Sequence, residues 1–217
     1  SKTESNVIYL HLGLGVAIGI VSDGKLYYGL ATEIATAGYV RLCSYDYATE
    51  EVQEHFRVED VIMPQDRAIR ASKFHSSICF MPDGRLIMTT HTTANAPTHP
   101  DWMPEAYQSN LWEGYMGSNV LIYDPNTGKV EDLGIPVPRE SIYGARYIPE
   151  LNALLMGGYL RGHLYLFTLD DRNVTDFGQC QEFGVYNISR GPDGNYYFAT
   201  RTGELWKFDV DERRPYY

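Results

Sequence analysis

Residues 74–93, FHSSICFMPDGRLIMTTHTT, hold an apolar strand, an Asp83-Gly84 turn and a second strand ending in Thr and His. A DG pair between two apolar runs is a hairpin signal, because glycine accepts the positive φ that a tight reversal demands. The same phrase recurs. Turns fall at Asp23-Gly24, Asp83-Gly84, Glu150-Leu151 and Asp193-Gly194, and the strands that follow read KLYYGLAT, RLIMTTHT, ALLMGGYL and NYYFATRT. Third strands read YVRLCSYD, NVLIYDPN, HLYLFTLD and ELWKFDVD, and fourth strands follow at KVEDLG and NVTDFG.

Four strands joined by short turns make a meander of ~40 residues, which has two faces and little core of its own. Stacking such sheets radially covers both faces. The pattern therefore predicts an all-β chain of β-propeller blades, four four-stranded antiparallel meanders that form part of a larger or assembled ring. A β-sandwich would not repeat its turn in phase. The blades are expected at about 8–60, 61–138, 139–182 and 183–217 of a single propeller region over 1–217, with a long loop at 93–117. The pattern is expected to stop at Tyr217 just after a third strand. The loop TANAPTHPDWMPEAYQSNLWEGYMG is rich in Pro, Trp, Tyr and Met; a loop of this length is functional or disordered, and its aromatics, which need something to cover, argue against disorder.

The composition agrees. The 217 residues are 44% apolar, 21% charged and 13% aromatic, with 18 tyrosines and 20 glycines, a β-rich profile of a globular protein. A net charge of −10 opposes nucleic acid as a partner, since duplex binding requires basic surface to displace counterions. No apolar run is long enough for a membrane helix. Residues 7–21 lack the basic flank and cleavage site of a signal peptide, so a soluble protein is expected, with its compartment open. Cys43, Cys79 and Cys180 have no metal-like spacing and read as buried small hydrophobes. His11 and His55 read as surface residues, and His163 as a blade-edge residue. Asp124 and Asp209, at third-strand ends, read as Asx-type turn groups.

Blade geometry says where a ligand would sit. Starts of first strands and ends of second strands meet on one face of a propeller. Aligned on the turns, the second-strand ends are Ala31, His91, Tyr159 and Arg201; the first-strand starts are Val16, Ser76 (preceded by His75), Tyr143 and Tyr186. His, Tyr and Arg in one funnel suit proton abstraction beside a carboxylate. An imidazole is the base, a phenol protonates the leaving oxygen and a guanidinium neutralises the carboxylate. That chemistry is β-elimination on uronic-acid sugars, so His75, His91, Tyr143, Tyr159 and Arg201 are the candidate catalytic residues. Trp102, Tyr107, Trp112 and Tyr115 would stack on sugar rings. Tyr186, Arg146 and Arg190 complete the candidate binding set, although both arginines also suit structural pairing with carboxylates. His91, His99 and Asp101 form a candidate divalent-metal set, with a spacing that matches no tight motif.

The run at 74–93, with VLIYDPNTGKVEDLGIPVPRESIYGARYIPELNALLMGGYLRGHLYLF at 120–167, resembles the lyase-type and quinoprotein-like β-propellers. The nearest kinds are the streptogramin lyases and the propeller polysaccharide lyases, such as oligogalacturonate and ulvan lyases. The resemblance rests on blade grammar. It implies a His base (His75 or His91), a Tyr or Arg partner (Tyr143 or Tyr159, and Arg201) and a divalent cation. Three functions compete: a lyase-like enzyme on acidic sugars, a non-catalytic module binding a protein or glycan through loop 93–117, and a half-ring whose main partner is another copy or further blades. A deep funnel with two titratable groups in reach favours the first, a flat aromatic patch the second, and twice the chain mass in solution the third.

Overall fold

The computed structural model describes residues 16–22, 24–31, 40–63, 71, 73–91, 117–138, 140–159, 161–180, 185, 187–200 and 202–217, with the side chains of 16–22, 30 and 31 outside the description. It is a succession of four antiparallel meanders. β1 (Val16–Ser22), β2 (Lys25–Ala31), β3 (Val40–Asp46) and β4 (Glu51–Arg57) form the first. A one-turn helix, α1 (Val58–Val61), leads to β5 (Lys73–Phe80), β6 (Leu86–His91), β7 (Val120–Tyr123) and β8 (Val130–Asp132). The third holds β9 (Ser141–Ile148), β10 (Ala153–Tyr159), β11 (His163–Thr168) and β12 (Val174–Gln179). The last holds β13 (Ser189–Arg190), β14 (Tyr196–Ala199), β15 (Leu205–Asp209) and β16 (Arg214–Tyr216). The final blade thus has its fourth strand, contrary to the expectation that the pattern stops after a third. Three residues with Pro215 at the centre are too short and too irregular a strand to read from alternation.

Within each meander, every strand pairs with its sequence neighbours. The inner strands of the second and third blades touch at one parallel bridge, Ser76 to Gly144, which joins the two blades into one eight-stranded ladder. Parallel inner strands of successive blades are what a radial arrangement about a common axis produces, and a sandwich does not.

The core shows why these sequences stack as blades. Alternate side chains of one strand enter different cores, because successive residues of a strand point to opposite faces. Leu86 and Met88 of β6, with Leu121 and Tyr123 of β7, pack with Tyr27, Val40, Leu42 and Phe56 of the first blade. Their neighbours Ile87, Val120 and Ile122 pack with Ile142, Leu154, Met156, Tyr165 and Phe167 of the third. The third blade repeats this: Ala153, Leu155, Leu164 and Leu166 turn to Tyr196, Phe198 and Phe208 of the fourth. Strands covered on both faces read as continuous apolar runs rather than alternating ones, and β6 and β7 are buried along their whole lengths. The outer strands β4 and β12 are largely exposed, which accounts for the acids of EVQEHFR.

The hairpin turns carry the expected chemistry. In the second blade Met81 N–H donates to Arg85 O, Gly84 N–H to Met81 O, and Arg85 N–H to Asp83 Oδ1; in the fourth, Gly191, Gly194, Asn195 and Asp193 repeat the set. Gly84 and Gly194 sit at φ +89° and +86°, a region that disfavours side chains. Asp124 Oδ1 accepts the Asn126 N–H and Asp209 Oδ1 the Glu212 N–H, so both aspartates are turn groups. All three cysteines are buried thiols. Among the described residues, no helix is long and apolar enough to cross a membrane.

His55 departs from the surface position expected of it. It lies between the first two blades, where Nε2 is 2.9 Å from Ser44 Oγ, Nδ1 is 2.8 Å from Tyr123 Oη, and the ring stacks on Tyr27. A β-bulge in the β3–β4 ladder between Leu42 and Cys43 shifts the parity of β4, which alternation alone does not reveal.

Candidate functional site

Two bulges build the site. On β5 the pairing runs Lys73–His91 and Phe74–Thr90, then resumes at Ile78–Met88, so residues 75–77 form an excursion from the ladder. On β9 the pairing passes from Ile142–Gly158 to Gly144–Gly157, which leaves Tyr143 as the extra residue. Bulges re-aim side chains, and these two turn His75 and Tyr143 towards each other from adjacent inner strands. Ser77 Oγ donates to Thr89 O at 2.8 Å, which satisfies a carbonyl beside the excursion.

The second-strand ends supply the rest. His91, the last residue of β6, stacks on Tyr143 with ring centroids 4.4 Å apart and planes at 13°. His75 lies 4.2 Å from Tyr143 and 5.4 Å from His91. Tyr159, the last residue of β10, lies 4.2 Å from Tyr143 and 5.8 Å from His91. Four rings that are distant in sequence thus form one cluster at the end of two blades. Tyr143, Tyr159 and His75 are partly exposed, whereas His91 is 0% exposed.

The hydrogen bonds of His91 determine its tautomer. Nδ1 is 3.2 Å from Ile142 O, which can only accept, and 2.8 Å from Ser141 Oγ. The proton therefore sits on Nδ1, and Nε2 carries the lone pair. Ser118 Oγ steadies this arrangement by accepting the Ile142 N–H at 2.9 Å. Burial holds the His91 pKa well below the ordinary imidazole value, and the neighbouring His75 and Lys73 push it further down. His91 is neutral at physiological pH. His75 has the complementary form: its Nδ1 accepts the Ser76 N–H at 3.0 Å, which leaves Nε2 as its proton-bearing nitrogen. Ser76 Oγ in turn donates to Asn187 Oδ1 at 2.8 Å and ties the second blade to the start of the fourth.

Three residues here carry no conspicuous signal in the sequence. Ser141 orients His91. Glu140, 1% exposed, accepts from Tyr165 Oη and, at 3.2 Å, from the Arg161 N–H; burial pushes its carboxyl above the usual range. Its carboxyl lies against Gly158, and that glycine is the sequence trace of its burial, whereas Gly157 makes room for Val185. Lys73 pairs with His91 across the ladder, and burial lowers its pKa.

The other candidates are placed as follows. Arg146 lies further along β9, where it donates to Ala145 O and approaches Cys79 Sγ. Arg190 is ion-paired with Glu150 beside the β9–β10 turn, at the opposite end of the blade from Tyr143. It is therefore remote from the ring cluster, because equivalent turns all lie on the far face. His163 bonds Asp176 on the outer strand β12. Arg201, Tyr186, His99, Asp101, Trp102, Tyr107, Trp112 and Tyr115 lie outside the described residues. Among the described residues no three His, Cys, Asp or Glu side chains gather to hold a metal. His91 could offer only Nε2 to an ion.

No family model matches the sequence, and no curated protein matches it. Solved structures do resemble it. The extracellular domain of a hybrid two-component system of B. thetaiotaomicron superposes with TM-score 0.58 at 13% identity, over 94% of this chain and 22% of that one. An auxiliary nutrient binding protein of Bacteroides thetaiotaomicron gives 0.55 at 15% identity, over 90% of this chain and 39% of that one. A protein from Lactobacillus plantarum gives 0.57 at 13% identity, over 93% and 53%. The chain thus spans about half or less of the length of each. At these identities the likeness is one of fold, and the fold is a propeller-like succession of blades.

Proposed function

We propose that this chain is the site-bearing part of a carbohydrate-active propeller that cleaves acidic, uronic-acid-containing sugars by lyase-like β-elimination, with the site at the His75–Tyr143–His91–Tyr159 cluster. The observation that carries the reading is the state of His91, neutral with its lone pair on Nε2 and stacked on a phenol. In the reaction, Nε2 takes the proton from the carbon beside the sugar carboxylate. The electron pair forms the C4=C5 double bond as the C4–O bond breaks, and the leaving oxygen takes a proton from Tyr143. His75, with its proton on Nε2, donates towards the carboxylate, and cationic donors lower the cost of the carbanion.

The test is the ultraviolet absorbance of unsaturated uronyl products when the chain is incubated with uronate polysaccharides. His91→Asn keeps a donor for Ile142 O and removes the base, so it should abolish turnover while the protein stays folded. Undiminished turnover in this variant would overturn the assignment of the base.

One observation favours a second reading, a non-catalytic module that binds a glycan or protein through residues 93–117. His91 has no exposed surface, as befits a histidine that only supports Tyr143. Binding of acidic polysaccharide without any unsaturated product, in wild type and His91→Asn alike, would establish this second reading.

A further inference from the structure

The polar groups of the ring cluster are dominated by donors and bases, and one cation beside them has no counter-charge among the described residues. Lys73 is the first residue of β5 and stands opposite His91 in the antiparallel ladder. Side chains of such a pair lie on one face, with Cβ atoms about 5 Å apart. The intervening Phe74 is buried in the core between the first two blades, so Lys73 and His75 both turn to the other face, where Tyr143 stands.

The surroundings of Lys73 differ from those of the other partly buried lysines. Lys25 is paired with Asp46 and Lys207 with Asp209. Lys73 has no ion pair or hydrogen bond among the described residues, in a chain with 28 acidic and 18 basic side chains. Glu140, the buried carboxylate of the third blade, is engaged by Tyr165 and the Arg161 N–H. Even partial desolvation of an ammonium without a counter-charge is unfavourable. A methionine or leucine would cover the same strand end at no electrostatic cost, so a lysine on the face of His91, His75 and Tyr143 fits an anionic ligand group.

We infer that Lys73 is the specificity-determining residue of this site, whose ammonium receives the carboxylate of an acidic sugar beside His91 and His75. The assignment rests on the proposed function and deepens it: the site discriminates for a carboxylate and against a neutral or esterified sugar. Lys73 touches the substrate directly, whereas Ser141 acts on it only through His91.

The experiment is calorimetric binding of the whole chain to galacturonate, glucuronate and iduronate oligosaccharides, each beside its carboxyl-reduced counterpart. Lys73→Met keeps the aliphatic stem and removes the charge. It should weaken binding of the acidic probe about 10- to 100-fold, as loss of a charge-assisted hydrogen bond does, and leave the reduced probe unchanged. Lys73→Arg should recover part of the loss. Equal weakening for both probes, which is the mark of a structural role, would overturn the inference. So would unchanged acidic binding in Lys73→Met, and in that case the proposed function survives. Failure of the wild-type chain to bind any acidic probe would overturn both.

Discussion

Replacing Gly158 by alanine tests the linkage between the buried carboxylate and the fold. The new methyl would sit inside the van der Waals radii of Glu140 Oε1 and Cδ, and 2.9 Å from Oε2. Glu140 is 1% exposed and cannot swing into water without opening the blade. Overpacking of this kind costs about 1–3 kcal/mol. If the carboxyl is displaced, Tyr165 Oη and the Arg161 N–H lose their acceptor, at about 1–3 kcal/mol for a buried donor left unmade. The stiffer unfolded chain returns about 0.4–1 kcal/mol. These terms overlap, and the expected net loss is about 3 kcal/mol, or about 1 M in urea midpoint at a slope near 3 kcal/mol/M. Urea titrations of wild type, Gly158→Ala, Glu140→Ala and the double variant measure it. The double variant should be no less stable than Glu140→Ala alone, because the methyl then has nothing to strike. A wild-type midpoint for Gly158→Ala, or strict additivity of the two losses, would refute the reasoning.

The remaining predictions concern pH and the first blade interface. The His91 pKa is lowered in the folded chain from an ordinary value of 6.5, so protons bind the unfolded chain first on acidification. Its contribution to stability is present above that value and is lost as pH falls towards the folded pKa, with a slope of at most about 1.4 kcal/mol per pH unit. Denaturation at a series of pH values should show the stability gap between wild type and His91→Asn closing between about pH 7 and 5; a constant gap would contradict it. Glu140 acts in the opposite sense, since a raised carboxyl pKa gives stability that is lost as pH rises. At Gly29, a methyl would lie 2.7 Å from Cδ2 and 3.0 Å from Cβ of Phe74, a side chain sealed between the first two blades. Gly29→Ala should destabilise by about 1–3 kcal/mol, and a thermal midpoint equal to wild type would count against this packing.

The fold was legible in the sequence to the extent that its cause is local. A DG turn needs only its own few residues, and a strand covered on both faces reads as RLIMTT wherever it lies. Four such phrases in phase are enough to announce blades, because one meander cannot bury its own faces. The repeat also brings His75, His91, Tyr143 and Tyr159 to the same end of adjacent blades, since residues in the same phase of a repeat lie on the same face. Their chemistry in that place remains a proposal.

Tertiary structure decided what depends on register and on neighbours. The excursion at residues 75–77 and the extra residue Tyr143 are one- and two-residue slips in a ladder, invisible to a pattern with a period of two. The slip at Leu42 and Cys43 likewise separates a surface His55 from one held between Ser44 and Tyr123. Arg146 and Arg190 have the right chemistry for a ligand, yet their places in the ladder set them along the blade and at its far end. The most consequential detail, the proton on Nδ1 of His91, follows from a carbonyl and a hydroxyl at residues 142 and 141, some fifty positions away in the chain. Sequence specified the blades because hydrophobic alternation and turn chemistry act over a few residues. Only the packed structure specified the state of the ring cluster, because protonation and tautomer are set by groups far apart in the chain.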